Sequence, residues 1–417
     1  MNVIHSQQTD HPTSNAEFTD ELALAVRLQI ARGAHSFSDL AEKVEGAWPL
    51  ETLSILRLLT KRGEVSSAFL EALMAGNTSA DPLRSPTQLR LDILPEPHPL
   101  NFDWRFTPGT QDFLMKTIES FNHDFVALLG TPTLLRPLLA RKFRTRLFDQ
   151  NASLREILEA EERKSFQEAD LTQPLKNANV FTVAAADPPW YSEYYEAFVY
   201  RLSDLLIPGG SALLSVLPRL TRPGAAEDRV NIVSVAYDAG LDLVDVIPDS
   251  LAYTTPPFEA EALKVEDLVL PAWRRSDLYI FEKAARPVQM QQRISMPEST
   301  VRQGWRTFTF NKTSIAVRCE AAAAAAFSFQ GVSASGRLTI DSVSRRSSSR
   351  RYANIWSSRN HVLHATRTDC VCRLLELLTA GIKSPEALDL IEQEFMLDRS
   401  SMREIERLVE ALKECLS

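Results

Sequence analysis

Cysteine is scarce in this chain: four residues in 417. A secreted disulfide framework is therefore not expected, and so few thiols fit a reducing cytosol. No window approaches the roughly 18 consecutive apolar residues of a membrane-spanning helix, so no span is expected. Basic charge is not in excess. Lys plus Arg number 46 against 54 Asp plus Glu, for a formal charge of −8. That excludes a surface coated in basic charge for unspecific nucleic-acid binding and leaves room for a local patch. The opening MNVIHSQQTDHPTSNAEFTDE is polar and acidic. It has neither the basic n-region nor the apolar h-region of a signal peptide. Gly-x-Ser-x-Gly, Walker A and His-Glu-x-x-His patterns are all missing. The expectation is a cytoplasmic chain of about two or three domains, large enough to need no metal or disulfide staple.

What is present falls into regions. Residues 1–17 read as a disordered tail. Residues 18–75 are helical in pattern. Leu22, Val26 and Ile30 share a face, and Gly33 ends that helix. A cap and short helix follow at Ser36–Ala41. Trp48-Pro49-Leu50 opens a third helix with Leu53, Leu56, Leu58 and Leu59 as its apolar positions, ending at Gly63. Three short helices with Gly-marked turns resemble a winged-helix module. Its third helix offers only Arg57, Lys61 and Arg62 toward DNA. Packing, or a homodimer through this module, is therefore favoured over DNA reading.

Residues 76–100 read as a linker, rich in Asn, Thr, Ser, Asp and Pro. Over 101–285 short apolar runs alternate with helical windows. Strands are expected at Phe125–Leu129, Arg146–Phe148, Asn179–Ala186, Ser211–Leu217, Leu241–Ile247 and Leu278–Phe281. Helices are expected at 110–121, 132–142, 152–163, 193–206 and 225–239. This alternation predicts an α/β, doubly wound sheet. No helix separates the last two strands, which predicts an antiparallel pair at the sheet edge, joined by a polar stretch at 248–275. Residues 286–417 form a C-terminal mixed α+β region. Trp305–Phe310 and Ser314–Arg318 read as a hairpin, the six alanines at 321–326 as a helix, and the last 48 or so residues as helical.

The sharpest chemical signal is Asp187-Pro188-Pro189-Trp190-Tyr191. It follows an apolar run and precedes a helix, so it sits at the carboxyl end of a strand, where open α/β sheets bind ligands. An exocyclic base amine is a poor nucleophile because its lone pair is delocalised. The Asp187 carboxylate and the Pro188 carbonyl can accept its two protons and aim the lone pair at an electrophile. Pro188 and Pro189 stiffen the backbone and carry no N–H to compete. Trp190 or Tyr191 can stack on a planar substrate.

These residues resemble the Asp/Asn-Pro-Pro-aromatic motif of S-adenosylmethionine-dependent amino-methyltransferases acting on N6 of adenine or N4 of cytosine. The resemblance implies a Rossmann-like methyltransferase domain, with S-adenosylmethionine as cofactor. It implies cofactor roles for Gly130 after strand one and for Asp149, 19 residues on, as the acid gripping the ribose hydroxyls. It further implies that Asp170 neighbours the adenine ring. By residue type alone, Asp149 and Asp170 serve equally well as helix caps. A second resemblance spans roughly residues 20–285. A winged-helix-like module, then Phe102, Asp103, Arg105 and Thr107, then the Asp-Pro-Pro-aromatic domain, is similar to the branched-chain polyamine synthases and their relatives. Those enzymes carry Gly-Asp-Asp-Asp after strand one. Here the run is Gly130-Thr131-Pro132-Thr133.

Over 341–367 six arginines face one acid, a local +5. Arg345, Arg346, Arg350 and Arg351 flank three serines there, with Tyr352 and Trp356 able to stack. This is the candidate nucleic-acid segment, and in the resembled enzymes recognition regions often follow the catalytic domain. Its alternative is a solvated loop. His361, His364, Cys370 and Cys372 have poor metal-ligand spacing, and no metal is expected. Trp273-Arg274-Arg275-Ser276-Asp277 reads as a surface turn, with phosphate binding as the alternative. Three functions stay open: methyl transfer to an amino group, a non-catalytic scaffold or regulator with the same fold, and aminopropyl transfer to a polyamine.

Overall fold

A computed structural model describes residues 12–76, 95–101, 103–121, 124–151, 154–175, 179–286, 304–319, 326–332, 338–343, 350 and 352–416. They belong to two compact units. One draws on Met1–Gln88, Arg105–Thr254 and Val269–Met296, the other on Leu89–Trp104, Thr255–Leu268 and Pro297–Ser417.

The first unit opens with four helices: α1 (Pro12–Ala31), α2 (Phe37–Lys43), α3 (Pro49–Lys61) and α4 (Ser67–Ala75). Leu22, Val26, Phe37, Leu40, Leu53, Leu56 and Leu59 form their shared core, all buried. Ser36 caps α2 by accepting from the Asp39 amide, and Pro49 fits the first turn of α3, where no N–H is needed. Three helices and a wing were expected. Among the described residues of this module there is no strand. Where a wing would begin, Ser66 accepts from the Phe69 amide at 3.1 Å and starts α4 instead. The bend before α3 packs on the sheet domain. Leu220 donates its amide to Glu45 O at 3.0 Å. Gly46, at φ +80°, lies so close that a Cβ there would sit 2.8 Å from Pro218 Cγ.

The sheet domain runs β1 (Arg105–Phe106), α5 (Pro108–Ser120), β2 (Phe125–Leu129), α6 (Leu135–Ala140), β3 (Arg144–Asp149), α7 (Leu154–Ile157), α8 (Ala160–Lys164), β4 (Phe166–Glu168), β5 (Phe181–Ala186), α9 (Ser192–Leu205), β6 (Leu206–Val216), α10 (Ala225–Asp238), β7 (Leu241–Thr254) and β8 (Arg275–Lys283). The eight strands lie in the order β1-β7-β8-β6-β5-β2-β3-β4. β2 to β6 are mutually parallel, and β8 runs antiparallel to both β6 and β7. Strands buried on both faces need continuous apolar runs. Val126–Leu129 and Val183–Ala186 supply them. The expected antiparallel pair is β7 with β8, but β8 inserts between β7 and β6. β7 also runs seven residues past its expected end at Ile247. Register shifts between Leu243 and Asp245 and between Ile247 and Leu251 absorb Pro248 and the left-handed Asp249, so the ladder resumes beyond them.

The second unit holds α11 (Pro257–Leu263), then β9 (Trp305–Phe310), β10 (Thr313–Arg318), β11 (Phe329–Gly331), β12 (Ile355–Ser357), β13 (Val362–Ala365), α12 (Thr368–Thr379), α13 (Ser384–Phe395) and α14 (Arg399–Leu416). Its strands form an antiparallel sheet, β11-β13-β12-β10-β9. The expected hairpin is β9–β10, turning through Asn311 at φ +54°. Ile315, Val317 and Leu363 pack with Leu374 and Leu375 of α12 and Ile405 and Leu408 of α14. Residues 95–101, at the end of the stretch read as a linker, are built into this unit. Glu96 takes the Arg359 guanidinium at 3.0 Å, and His98 Nε2 lies 2.9 Å from Trp356 O. Of the six alanines read as a helix, 321–325 lie outside the described residues. Among the described residues no helix is long and apolar enough to cross a membrane.

Candidate active site

The ends of four adjacent parallel strands build the site. Leu129 of β2 pairs with Phe148 of β3 and with Ala186 of β5. Gly130, Asp149 and Asp187 therefore stand in one row at the carboxyl edge of the sheet. Asp149 itself closes β3 opposite Glu168 of β4, and Asp170 lies two residues beyond. Gly130 adopts φ +66° and donates its amide to Phe148 O at 3.0 Å. A Cβ at Gly130 would meet Asp187 O and Phe198 Cε1 at 3.5 Å, an ordinary contact, so backbone conformation is what requires glycine here. Asp149 is half-buried and accepts the Asn151 amide at 2.8 Å. Asp170 is exposed and accepts both the amide and the hydroxyl of Thr172, at 2.9 and 2.7 Å. Both acids thus hold local turns. A carboxylate accepts several hydrogen bonds at once, a chemistry that suits hydroxyl or amino donors of a ligand lying along this edge.

Asp187, Pro188, Pro189 and Trp190 link β5 to α9. The Asp187 amide extends the ladder to Leu129 O at 3.3 Å, and Tyr191 N donates to Pro189 O at 2.7 Å. Tyr191 then starts α9, its carbonyl accepting from Tyr194 and Tyr195. Asp187 is half-buried. The Tyr253 hydroxyl donates to Asp187 Oδ1 at 2.8 Å. Behind it lie Ser215 Oγ at 2.6 Å and Ser276 Oγ at 3.1 Å, themselves 3.0 Å apart. All three hydroxyl residues are buried. Burial, and then the Asp187 charge, push the Tyr253 hydroxyl well above its ordinary pKa, so it stays a donor. Tyr195 is likewise pushed well up, first by burial, and accepts the Leu217 amide at 2.9 Å.

Trp190 is buried and not open for stacking. The Arg274 guanidinium lies 3.6 Å from its ring centroid, and Tyr253 packs on it edge-on at 6.0 Å. Tyr191 is the half-buried aromatic of the motif. Arg222 lies 5.8 Å from its ring and also pairs with Asp228, which accepts the Ser192 hydroxyl at 2.6 Å. Sequence reasoning missed Tyr253, Ser215, Ser276 and Arg222. Tyr253 fell in the stretch read as a polar connection. The segment Trp273–Asp277 is not a surface turn. Trp273 and Ser276 are buried, and the segment carries Arg274 to the motif as it enters β8.

Of the four arginines proposed to touch substrate, Arg345, Arg346 and Arg351 lie outside the described residues. Arg350 is buried in the second unit, 4.5 Å over the Trp356 ring and donating to Val343 O at 3.2 Å. Among the described residues no three His, Cys, Asp or Glu side chains group as a metal site. Cys372 lies beside Cys319, with the sulfurs 3.1 Å apart.

With this geometry in view, solved structures of similar fold can be compared. The branched-chain polyamine synthase of Thermus thermophilus, in complex with N4-aminopropylspermidine and 5'-methylthioadenosine, aligns at TM-score 0.52 and 14% identity, over 67% of this chain and 91% of that one. Its C9 mutein aligns at TM-score 0.49 and 16% identity, over 67% and 90%. A S-adenosylmethionine-dependent methyltransferase from Methanosarcina mazei aligns at TM-score 0.29 and 10% identity, over 41% and 98%. Neither a scan of protein-family models nor a search of curated proteins finds a match. The likeness to the synthase shows the fold alone: a mixed α/β, Rossmann-like architecture.

Proposed function

We propose that the chain is a S-adenosylmethionine-dependent methyltransferase acting on an amino group, with an exocyclic amine of a nucleic-acid base as the acceptor class. The observation that carries this reading is the row Gly130, Asp149, Asp187 at the carboxyl edge of one Rossmann-like sheet, with Asp170 just beyond β4. These residues fit the cofactor. Asp149 would hold its ribose hydroxyls, Asp170 would neighbour its adenine, and the glycine backbone turn would pass its methionine part. Bound there, the cofactor supplies an electrophilic methyl group on a sulfonium sulfur. Asp187 and the Pro188 carbonyl accept the N–H groups of the acceptor amine and direct its lone pair. Asp187 would accept the proton that the acceptor amine loses on methylation and release it to solvent. Tyr191 remains the aromatic able to lie against a planar acceptor.

Aminopropyl transfer is the second reading, favoured by the fold shared with the polyamine synthase. The residues weigh against it. A polyamine cation calls for carboxylates, whereas the turn after β2 is Gly130-Thr131-Pro132-Thr133. The groups acting on Tyr195 beside Asp187 are the guanidinium groups of Arg222 and Arg274. A homodimer through the N-terminal helices belongs to the same proposal, whereas among the described residues of 341–367 Arg350 and Trp356 are buried and Arg359 and Arg367 are ion-paired, which weighs against a nucleic-acid surface there. Leu24 and Leu28, one turn apart and exposed on α1, support the dimer, which sedimentation equilibrium tests. The enzymatic reading is tested by radiolabelled methyl transfer from S-adenosylmethionine to single-stranded oligonucleotides. Decarboxylated cofactor with spermidine, read by mass spectrometry, tests the second. Product only in the latter assay would exchange the two readings.

A further inference from the structure

We infer that Tyr253 is the positioning residue of Asp187, and that Ser215 and Ser276 fix the direction of its hydroxyl. The inference rests on the methyltransferase reading only for what Asp187 then does. Tyr253 stands at the end of β7, Ser276 at the start of β8, Ser215 at the end of β6 and Asp187 just past β5. Because β8 runs antiparallel, its first residues reach the same edge where the other three strands end. The hydroxyls thus cross the rim in strand order and converge on one carboxylate.

Proton order follows from the donor inventory. An ionised carboxylate only accepts, so Tyr253 donates to Asp187. Its oxygen is then the acceptor for Ser215 at 2.6 Å, and Ser276 donates toward Ser215 or Tyr253. A hydrogen bond to the charged form favours that form. Tyr253 therefore holds one Asp187 oxygen in a fixed orientation and weakens the carboxylate as a base. Asp187, Arg222 and Arg274 all act electrostatically on Tyr195 at this place. A weakened, fixed carboxylate suits an acceptor amine that enters uncharged. It would bind such an amine through N–H donation without drawing off its proton before the new bond forms.

The test is a 13C NMR titration of aspartate carboxyls in the wild-type chain, Tyr253→Phe and Ser215→Ala, with Asp187→Asn assigning the Asp187 signal. The expected result is an Asp187 midpoint raised by about one pH unit in Tyr253→Phe. A smaller rise is expected in Ser215→Ala, which keeps the tyrosine and carries the test where Tyr253→Phe does not fold. A midpoint unchanged in the folded variants overturns the inference. The readout needs no cofactor, so failure of the methyltransferase reading and failure of this inference are seen separately.

A different observation, in the second unit, carries a second proposal. The structure assigns Cys319 and Cys372 as a thiol pair that closes to a disulfide. Their sulfurs are 3.1 Å apart across 53 residues of chain, joining the end of β10 to α12. Cys319 is exposed, and Arg306 acts electrostatically on both thiols. Burial pushes Cys372 up to about 12, so Cys319 reacts first. With a small disulfide such as oxidised glutathione, the Cys319 thiolate forms a mixed disulfide and releases one glutathione. Cys372 then displaces the second glutathione and yields its proton to solvent. Incubation with oxidised glutathione, acid quenching, alkylation after unfolding and peptide mass mapping test this. A peptide joining Cys319 to Cys372 is expected in the wild type and in Cys370→Ser, and its loss in Cys372→Ser. Full alkylation of both cysteines in the wild type overturns the pairing.

Discussion

At the scale of single residues, the account rests on Asp187 as the proton acceptor and on Gly130 as the turn beside it. Asp187→Ala removes both the charge and the hydrogen-bond acceptor. Methyl transfer by this variant is expected to fall by at least about 100-fold, with circular dichroism and cofactor affinity close to wild type. Gly130→Ala meets no steric barrier, so its cost is that of a left-handed backbone on a residue with a Cβ. Urea unfolding should show about 1 kcal/mol of lost stability. The places of both residues at the sheet edge were legible in the sequence because the motif and the turn are local and each follows an apolar run. Tyr253, Ser215 and Ser276 were not. Each lies 28 or more residues from Asp187 in the chain, and only strand order brings them together. Trp190 shows the converse limit. Its place was legible, but its burial under Arg274 depends on a residue 84 positions away.

At the scale of elements, β2, β5 and β6 of the parallel sheet were legible from their apolar runs, since strands buried on both faces have no polar side to confuse the pattern, whereas β4, three residues long, was not read as a strand. β7 was cut short because Pro248 and the polar residues around it look like a terminus, and register shifts that absorb them leave no sequence mark. The wing was expected from three helices and a glycine, and Ser66 instead caps a fourth helix. What the N-terminal helices do in the fold turns on the Glu45–Gly46 bend. Gly46→Ala adds a Cβ where Pro218 already sits, at a φ that disfavours one. A loss of at least about 2 kcal/mol is expected in thermal and urea unfolding. Glu45→Ala removes only the exposed pairing with Arg219, and should change stability by less than about 0.5 kcal/mol. Equal effects from the two variants would show that the bend does not hold the module.

At the scale of the whole molecule, regions read as consecutive are interleaved. Residues 95–101, 103–104 and 255–268 leave the company of their chain neighbours for the second unit, which a reading of contiguous regions does not reveal. The net charge of −8 hides local pairing of acids with arginines. Hydrogen bonds from Arg367 and Arg306 hold Asp369 and Glu376, respectively, below their usual range. Folded values below unfolded ones mean stability that is present above about pH 4.5 and is lost as pH falls through the folded values. The melting temperature of the wild type should therefore exceed that of Asp369→Asn/Glu376→Gln at pH 7. The gap should narrow as pH falls below the ordinary carboxylate range, and a gap that stays constant as pH falls contradicts the assignment. Both side chains are about one-third exposed, so the effect is small.

Calorimetric titration of the intact chain with S-adenosylmethionine, beside Asp149→Ala, tests the central claim most directly. The account predicts saturable one-site heat for the wild type and an affinity at least about tenfold weaker for the variant, the loss expected for a charged hydrogen-bond acceptor. No heat and no thermal shift at millimolar cofactor would contradict it and leave the fold as a scaffold without cofactor chemistry.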